Sequence, residues 1–292
     1  MENQNKKSIP KIPFLLLIGV VLFSLSVSAV SAANTSSNST IYVSTEGNDT
    51  WDGLSPTYNT TSGPKKTITN ATGTVTTNGT IYIAPGTYNE SGITINKNMT
   101  ITGENQENTI INGQQSGNSI FHILTGITAN INNLTLTNNT AEAGGAIYNE
   151  YGGNLTVTNC TFTNNTATGA GGAICNWENL TVTNCTFSNN TARSGGAIFQ
   201  DGVISLTNCT FTNNTAACYG GAIYNDLGSL TVTNSTFADN TAEDGGVIKN
   251  SGDLSMFNCT FTNNTAANYG GAICNYGGLS VINSTITNNT AS

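Results

Sequence analysis

Carboxylates are the side chains in this sequence with the clearest chemical potential, because a pair of acids can hydrolyse a glycosidic bond. Residues 131–292 contain nine of them: Glu142, Glu150, Glu178, Asp201, Asp226, Asp239, Glu243, Asp244 and Asp253. Only Arg193 and Lys249 are basic there. Glu150, Asp226 and Asp201 could align on one side of the protein, but no pair with complementary roles is evident. We expect no catalytic residue.

Metal chemistry has less support in the sequence. His122 is the single histidine, and a metal site or a catalytic triad needs further ligands beside it. Asp49 and Asp52 in GNDTWDG offer oxygen ligands of the kind that bind Ca²⁺. The loop holds few other ligands, however, and turn formation explains both residues. We expect no metal and no cofactor.

The seven cysteines mostly follow a repeated position. Cys160, Cys185, Cys209 and Cys259 share it with Leu134, Ser235 and Ser284. Interchange with Leu and Ser predicts small core residues, and stacked neighbours would lie too far apart for a good disulfide. Cys175 and Cys274 lie four repeats apart and cannot bridge. We expect mostly free thiols, which suit a reducing or anaerobic habitat.

Aromatic residues are the best candidates for binding, because their faces stack on sugars and anchor protein interfaces. They lie near a recurring GGAI motif: Tyr148, Tyr151, Trp177, Phe199, Tyr219, Tyr224, Tyr269 and Tyr276. The alternative is that they merely cover the edge of each repeat, since single exposed apolar residues are ordinary.

An internal repeat must position all of these residues. GGAI copies begin at Gly144, Gly171, Gly195, Gly220, Gly245 and Gly270, about 25 residues apart. FTNNTA copies begin at Leu136, Phe162, Phe187, Phe211, Phe237, Phe261 and Ile286. One copy, NLTVTNCTFTNNT, alternates apolar residues with Thr, which is the period of a β-strand. With GGAI it predicts three short strands per repeat, hence one coil of a β-solenoid.

Asparagines mark the predicted bends between these strands. One set comprises Asn133, Asn159, Asn184, Asn208, Asn234, Asn258 and Asn283, and a second comprises Asn139, Asn165, Asn190, Asn214, Asn240, Asn264 and Asn289. Asn tolerates the left-handed backbone of a bend, and stacked identical side chains can hydrogen-bond along the axis. The sequence therefore predicts an all-β, right-handed, single-stranded parallel β-helix of roughly ten coils.

The repeat motifs resemble known surface proteins. GGAI paired with FxxN, as in Gly171–Ile174 and Phe162–Asn165, resembles the repeat of chlamydial polymorphic outer-membrane proteins. NLTVTNCTFTNNTA and the opening YVSTEGNDTWDGLSP are similar to adhesin-like surface proteins of methanogenic archaea. The resemblance spans residues 41–292 and implies a right-handed parallel β-helix at the cell surface. It implies no catalytic residue, because the shared positions all build coils.

The N-terminus predicts secretion. Lys6, Lys7 and Lys11 precede an apolar run from Phe14 to Val27 and small residues up to Ala33, the pattern of a signal peptide. We assign residues 1–33 to the signal peptide, 34–40 to a disordered tail, 41–130 to less regular coils and 131–292 to regular coils. Many N-x-S/T sequons, Asn38, Asn70, Asn98, Asn133 and Asn179 among them, allow glycosylation.

Charge restricts the partners. Without residues 1–33 the chain has 5 basic and 15 acidic residues, which disfavours nucleic acid and anionic membranes. We predict a secreted, non-catalytic, adhesin-like surface protein that binds glycans or proteins of host or microbial cells or forms part of the cell coat, without membrane insertion. Its last coil lacks a cap, which favours end-to-end self-association. The alternative function is a secreted polysaccharide lyase or hydrolase, by analogy with other β-helices.

Overall fold

Residues 39–292, which the computed structural model describes, form a parallel β-solenoid with four sheets along its sides. Sheet A has ten strands: Thr40–Val43, Gly79–Ile83, Met99–Gly103, Thr128–Asn132, Asn154–Thr158, Asn179–Thr183, Val203–Thr207, Ser229–Thr233, Asp253–Phe257 and Gly278–Ile282. Sheet B has nine: Gly86–Asn89, Thr109–Asn112, Thr135–Thr137, Thr161–Thr163, Thr186–Ser188, Thr210–Thr212, Thr236–Ala238, Thr260–Thr262 and Thr285–Thr287.

The other two sheets complete each turn of the chain. Sheet D has seven strands: Thr140–Ala141, Thr166–Ala167, Thr191–Ser194, Thr215–Tyr219, Thr241–Asp244, Thr265–Tyr269 and Thr290–Ala291. Sheet C has eight: Ile93–Ile95, Phe121–Ile123, Ile147–Asn149, Ile174–Asn176, Ile198–Gln200, Ile223–Asn225, Ile248–Asn250 and Ile273–Asn275. A regular coil passes through A, B, D and C in that order.

Three details of the predicted coil need correction. The structure has eight complete turns, and only sheet A reaches ten strands. The regular coils contain four strands, because the Thr-Ala pair after each Asn-Asn forms sheet D. Thr40, placed in the tail by the sequence, is the first residue of sheet A, whereas the predicted signal peptide lies outside the described residues.

Stacked aromatic rings fill the interior beneath sheet B. Phe162, Phe187, Phe211, Phe237 and Phe261 are fully buried, and their ring centroids lie 4.6 to 4.9 Å apart in nearly parallel planes. Each ring repeats the position of the one in the preceding coil, because the strands pair in register. This stack and the Ile, Leu and Val residues beside it form one continuous core.

The two sets of asparagines have different structural roles in the bends. The first predicted set, Asn159 and its equivalents, has φ values of 51° to 57° and forms exposed side-chain ladders. The second set, Asn165 and its equivalents, is buried instead, and the residue before it takes the left-handed backbone. Asn190 shows the pattern: its Nδ2 donates to Asn214 Oδ1 at 3.0 Å and to Phe162 O at 3.0 Å. These amides satisfy main-chain groups at the bend.

Both glycines of the GGAI motif are required by the backbone. The first has φ between 58° and 68° in all six copies, where a side chain is strained. The second lies against the next coil, so that a Cβ on Gly172 would overlap the carbonyl oxygen of Gly196. The motif therefore turns the chain into sheet C and lets the coils approach closely.

A short helix, α1 (Ile68–Thr74), covers the first coil. The all-β prediction did not include this helix. Ile68 and Ala71 are fully buried, and the Glu90 carboxylate accepts the main-chain N–H of Ile68 at 2.8 Å. Asp49 accepts the N–H groups of Lys66 and Thr67. Among residues 39–292, no helix has the length and apolar character needed to cross a membrane.

The last coil exposes apolar residues that the same positions bury in earlier coils. Leu279, Val281 and Ile286 are partly accessible, whereas Leu254, Met256 and Phe261, their neighbours in register, are buried.

Candidate functional site

The outer surface of sheet C differs from that of sheets A and B. In sheet A the central outward position reads Thr156, Thr181, Ser205, Thr231, Ser255 and Ser280 through consecutive coils. In sheet B one outward position is Thr in every regular coil. In sheet C it reads Thr94, His122, Tyr148, Cys175, Phe199, Tyr224, Lys249 and Cys274. We call this row the sheet C ladder.

Two rows of loop residues border the sheet C ladder. The first follows the strands and comprises Glu150, Trp177, Asp201, Asp226, Ser251 and Tyr276, each donating its main-chain N–H to the preceding coil. The second lies at the end of the sheet D strands, where Ser194, Tyr219, Asp244 and Tyr269 pair in register. The ladder and the two rows together form one surface, the sheet C face.

A cleft of about 610 Å³ opens at the N-terminal end of the sheet C face. Its lining includes Asn118, Glu142, His122, Tyr148 and Trp177. His122 Nε2 lies 2.8 Å from Glu150 Oε1, so the ring orientation is fixed. Hydrogen bonds from Thr125 and from His122 hold the pKa of Glu150 below its ordinary value. The cleft thus presents rigid polar groups beside aromatic rings.

Aromatic rings continue from the cleft along the face. The Trp177 ring lies 5.3 Å from that of Tyr151 and 5.2 Å from that of Phe199. Phe199 is followed by Tyr224 at 5.5 Å, and Tyr224 by Tyr219 at 5.5 Å. Within residues 39–292, the indole N–H of Trp177 is buried beneath these rings without a well-formed hydrogen bond.

Carboxylates give the face a negative charge. Asp201 and Asp226 follow neighbouring strands of sheet C, and burial together with the charge of Asp226 raises the pKa of Asp201. Tyr224 Oη donates to Asp226 Oδ1 at 2.6 Å, and burial raises the pKa of Tyr224. The sheet C ladder contains one cation, Lys249, which pairs with Asp244 at 3.1 Å.

A family model, the right handed beta helix region, matches residues 24–237 and 120–291. This chain belongs to the right-handed β-helix family. Among curated proteins none matches it. Its fold is similar to that of pectin methylesterase PemA from Erwinia chrysanthemi (13% identity, TM-score 0.51, covering 88% of this chain and 91% of that one). Pectin methylesterase from carrot is also similar (14% identity, TM-score 0.48, covering 81% and 82%). At such identities the likeness shows the fold alone.

The β-helix brings all eight aromatic candidates to one side, with Phe199 inside the sheet C ladder. Tyr148 and Tyr224 lie in the ladder, Trp177 and Tyr276 in the first row, with Tyr151 just beyond Glu150. Tyr219 and Tyr269 lie in the second row. All of them were expected to be exposed, but the structure exposes them to different extents. Tyr151, Tyr219, Tyr269 and Tyr276 are exposed, and Tyr148, Trp177 and Tyr224 are half-buried. Phe199 is only 6% exposed, because the neighbouring rings cover it.

The other residues singled out from the sequence lie in the core or in turns of the β-helix. The four cysteines of the repeated position are buried, as expected for core filling. Asp52 accepts hydrogen bonds from the Ser62 hydroxyl and the Leu54 main-chain N–H, and the bond from Ser62 contributes most to lowering the pKa of Asp52. Turn formation therefore accounts for this residue. Among residues 39–292, no group of three metal-ligating side chains is present. The sequence missed the pairing of His122 with Glu150, 28 residues away.

Proposed function

We propose that this β-helix is a secreted, non-catalytic, adhesin-like protein that binds the surface of other cells through the sheet C face. The observation that carries the proposal is the contrast between a uniform interior and one outward row that differs in nearly every coil. Aromatic residues and arginine usually dominate binding energy at protein surfaces, and seven of the aromatic side chains are concentrated here. The predicted signal peptide supports an extracellular location.

The charge of the face favours certain ligands. Glu142, Asp201 and Asp226 have no cationic partner within residues 39–292, and Lys249 is neutralised by Asp244. An acidic polysaccharide would meet like charges here, which costs binding energy. We therefore expect uncharged or amino-bearing glycans to bind, with sugar rings stacked on Trp177 and Tyr148.

The test is adherence of beads coated with residues 34–292 to microbial cells, host cells and purified neutral, amino and acidic glycans. We expect saturable binding that free ligand competes away. A variant with Trp177→Ala and Tyr148→Ala should bind at least about tenfold more weakly, since hot-spot residues each contribute 2 kcal/mol or more. The matched control is Thr181→Ala with Thr156→Ala on sheet A. Binding to no surface, or equal binding by both variants, contradicts the proposal.

The second candidate function is hydrolysis of a polysaccharide. One observation favours it: Asp201, whose pKa is raised, follows a strand directly beside that of Asp226, and hydrolysis of a glycosidic bond needs an acid and a base or nucleophile. Release of reducing ends from a polysaccharide panel, abolished by Asp201→Asn, would establish this activity in place of simple binding.

End-to-end self-association through the last coil also stays a proposal. A concentration-dependent increase in size that Val281→Lys abolishes would support it, and a constant monomer would contradict it.

A further inference from the structure

Lys249 and Cys274 touch at the C-terminal end of the sheet C ladder. The two residues pair in register on neighbouring strands. Lys249 Nζ lies 3.4 Å from Cys274 Sγ, and each residue is only 7% exposed. An amine and a thiol held in contact across two coils are placed for a reaction with each other.

The surroundings of Lys249 hold it against the sulfur. Its Nζ donates to Asp244 Oδ2 at 3.1 Å and lies 4.1 Å from the ring centroid of Tyr276 and 5.1 Å from that of Tyr219. The second oxygen of Asp244, Oδ1, is buried without a partner among the described residues. A cation beside a sulfur is a common setting of reactive cysteines, because the thiolate is the nucleophile.

We propose that a peroxide converts this contact into a covalent sulfenamide cross-link between Lys249 Nζ and Cys274 Sγ. In the first step the thiolate attacks hydrogen peroxide: an S–O bond forms, the O–O bond breaks, and the departing hydroxide takes a proton to become water. The sulfur, now a sulfenic acid, has been oxidised by two electrons and the peroxide reduced.

The second step joins the two side chains. The deprotonated amine of Lys249 attacks Sγ with its nitrogen lone pair. The N–S bond forms as the S–O bond breaks, and the departing hydroxide takes the proton that the nitrogen loses and leaves as a second water. One peroxide is consumed for each cross-link and both of its oxygen atoms end in water. Sulfenic acids condense with main-chain nitrogens in the same way.

The second step should depend on pH. Burial alone lowers the pKa of Lys249, but its hydrogen bonds to Asp244 and Cys274 outweigh burial and hold that pKa above its ordinary value. The reactive amine is the deprotonated form. Cross-linking should therefore accelerate as the pH rises from 7 to 9. Reduction of the linked product by a thiol should restore both side chains.

Cys175 provides an internal control. It occupies the same ladder position four strands before Cys274, between Tyr148 and Phe199, and is also buried. Its neighbours in register contain no amine. The cross-link at Cys274 would tie the edge strand of sheet C, Ile273–Asn275, to the strand before it, and would resist its separation.

The experiment treats the folded chain with hydrogen peroxide, digests it with pepsin and identifies linked peptides by mass spectrometry. We expect peptides holding Lys249 and Cys274 to be joined, with a mass two hydrogens below their sum, and to separate on treatment with dithiothreitol. Lys249→Arg keeps the positive charge but removes the amine. In that variant Cys274 should gain oxygen without a link, and Cys175 should form no link in either protein.

Two results would overturn the inference. The first is that no link forms in the wild type, so that Cys274 gains only oxygen or stays reduced under conditions that oxidise it in the unfolded chain. The other is a link to Cys274 that forms equally in the Lys249→Arg variant. Circular dichroism of Lys249→Arg and Cys274→Ser confirms that the β-helix is intact, so loss of the fold is not mistaken for loss of the reaction.

Discussion

The interior beneath sheet B and the outer surface of sheet C repeat with the same coil period, but the interior repeats one residue type and the outer surface does not. Five coils place a Phe at one interior position, from Phe162 to Phe261. The same coils place Cys175, Phe199, Tyr224, Lys249 and Cys274 at the outward position of sheet C. Repetition inside the solenoid satisfies packing in every coil alike. The sheet C position is not constrained to one residue type in this way, and its variation is the feature on which the proposed recognition role depends.

A matched pair of phenylalanines gives the largest expected effect. Phe211→Ala leaves a cavity within the ring stack and should reduce the free energy of unfolding by about 3–5 kcal/mol. Phe199→Ala, on the sheet C face, removes a ring covered only by neighbouring aromatic side chains and should cost about 1–2 kcal/mol. Urea denaturation followed by circular dichroism compares them. Equal losses would show that the face, too, is part of the core.

The buried asparagine ladder should be next in sensitivity. In Asn214→Ala, the main-chain N–H and Nδ2 of Asn190 and the carbonyl of Phe187 each lose one hydrogen bond. Each unsatisfied buried group costs about 1–3 kcal/mol. The control is Thr212→Ala, which lies on the outer side of sheet B in the same coil and should change the urea midpoint little. A small effect of Asn214→Ala would mean that water replaces the amide.

The acidic pair on the face predicts a smaller, pH-dependent effect. Because the folded chain raises the pKa of Asp201 above 3.8, ionisation of this group opposes folding, and the penalty is full above the raised pKa. Asp201→Asn should therefore increase the melting temperature at pH 7, and the gain should disappear as the pH falls towards 3.8.

The contribution of Asp226 to that effect can be separated by a double-mutant cycle. If its charge contributes as expected, Asp201→Asn should stabilise the Asp226→Asn background less than the wild type. A gain that persists unchanged at pH 3.5 would instead assign the effect of Asp201→Asn to packing.

The sequence predicted the coil but not all of its parts. Alternation in NLTVTNC and the GGAI spacing predicted sheets A, B and C and the buried positions of Cys160 and Phe162, since period and burial are local properties. The Thr-Ala strand of sheet D was missed, because two residues show no alternation. Helix α1 was missed because its seven residues, about two turns, are too few to show an apolar period.

The site was harder to predict than the fold for a geometric reason. The aromatic candidates were found because they directly precede the GGAI motif, as Tyr219 and Tyr269 do, or lie within or just after the strand that it begins. The contacts of His122 with Glu150 and of Lys249 with Cys274 depend on the register between coils. Lys249 and Cys274 each follow the first glycine of a GGAI copy by four residues, so the repeat aligns them but does not show their contact. His122 precedes the first GGAI copy, so the sequence alone did not align it with Glu150. The three-dimensional register supplied both pairs.

The central claim is that the varied face performs recognition, and making it uniform tests this most directly. Tyr148, Trp177 and Tyr224 would be replaced by Thr, the residue that recurs on the outside of sheets A and B. The control replaces Thr186, Thr210 and Thr236 of sheet B by Ser. Dissociation constants would be measured on the cell and glycan panel. We predict that the first variant loses at least about 100-fold in affinity while the control binds as the wild type does. Equal affinities of all three chains would contradict the account.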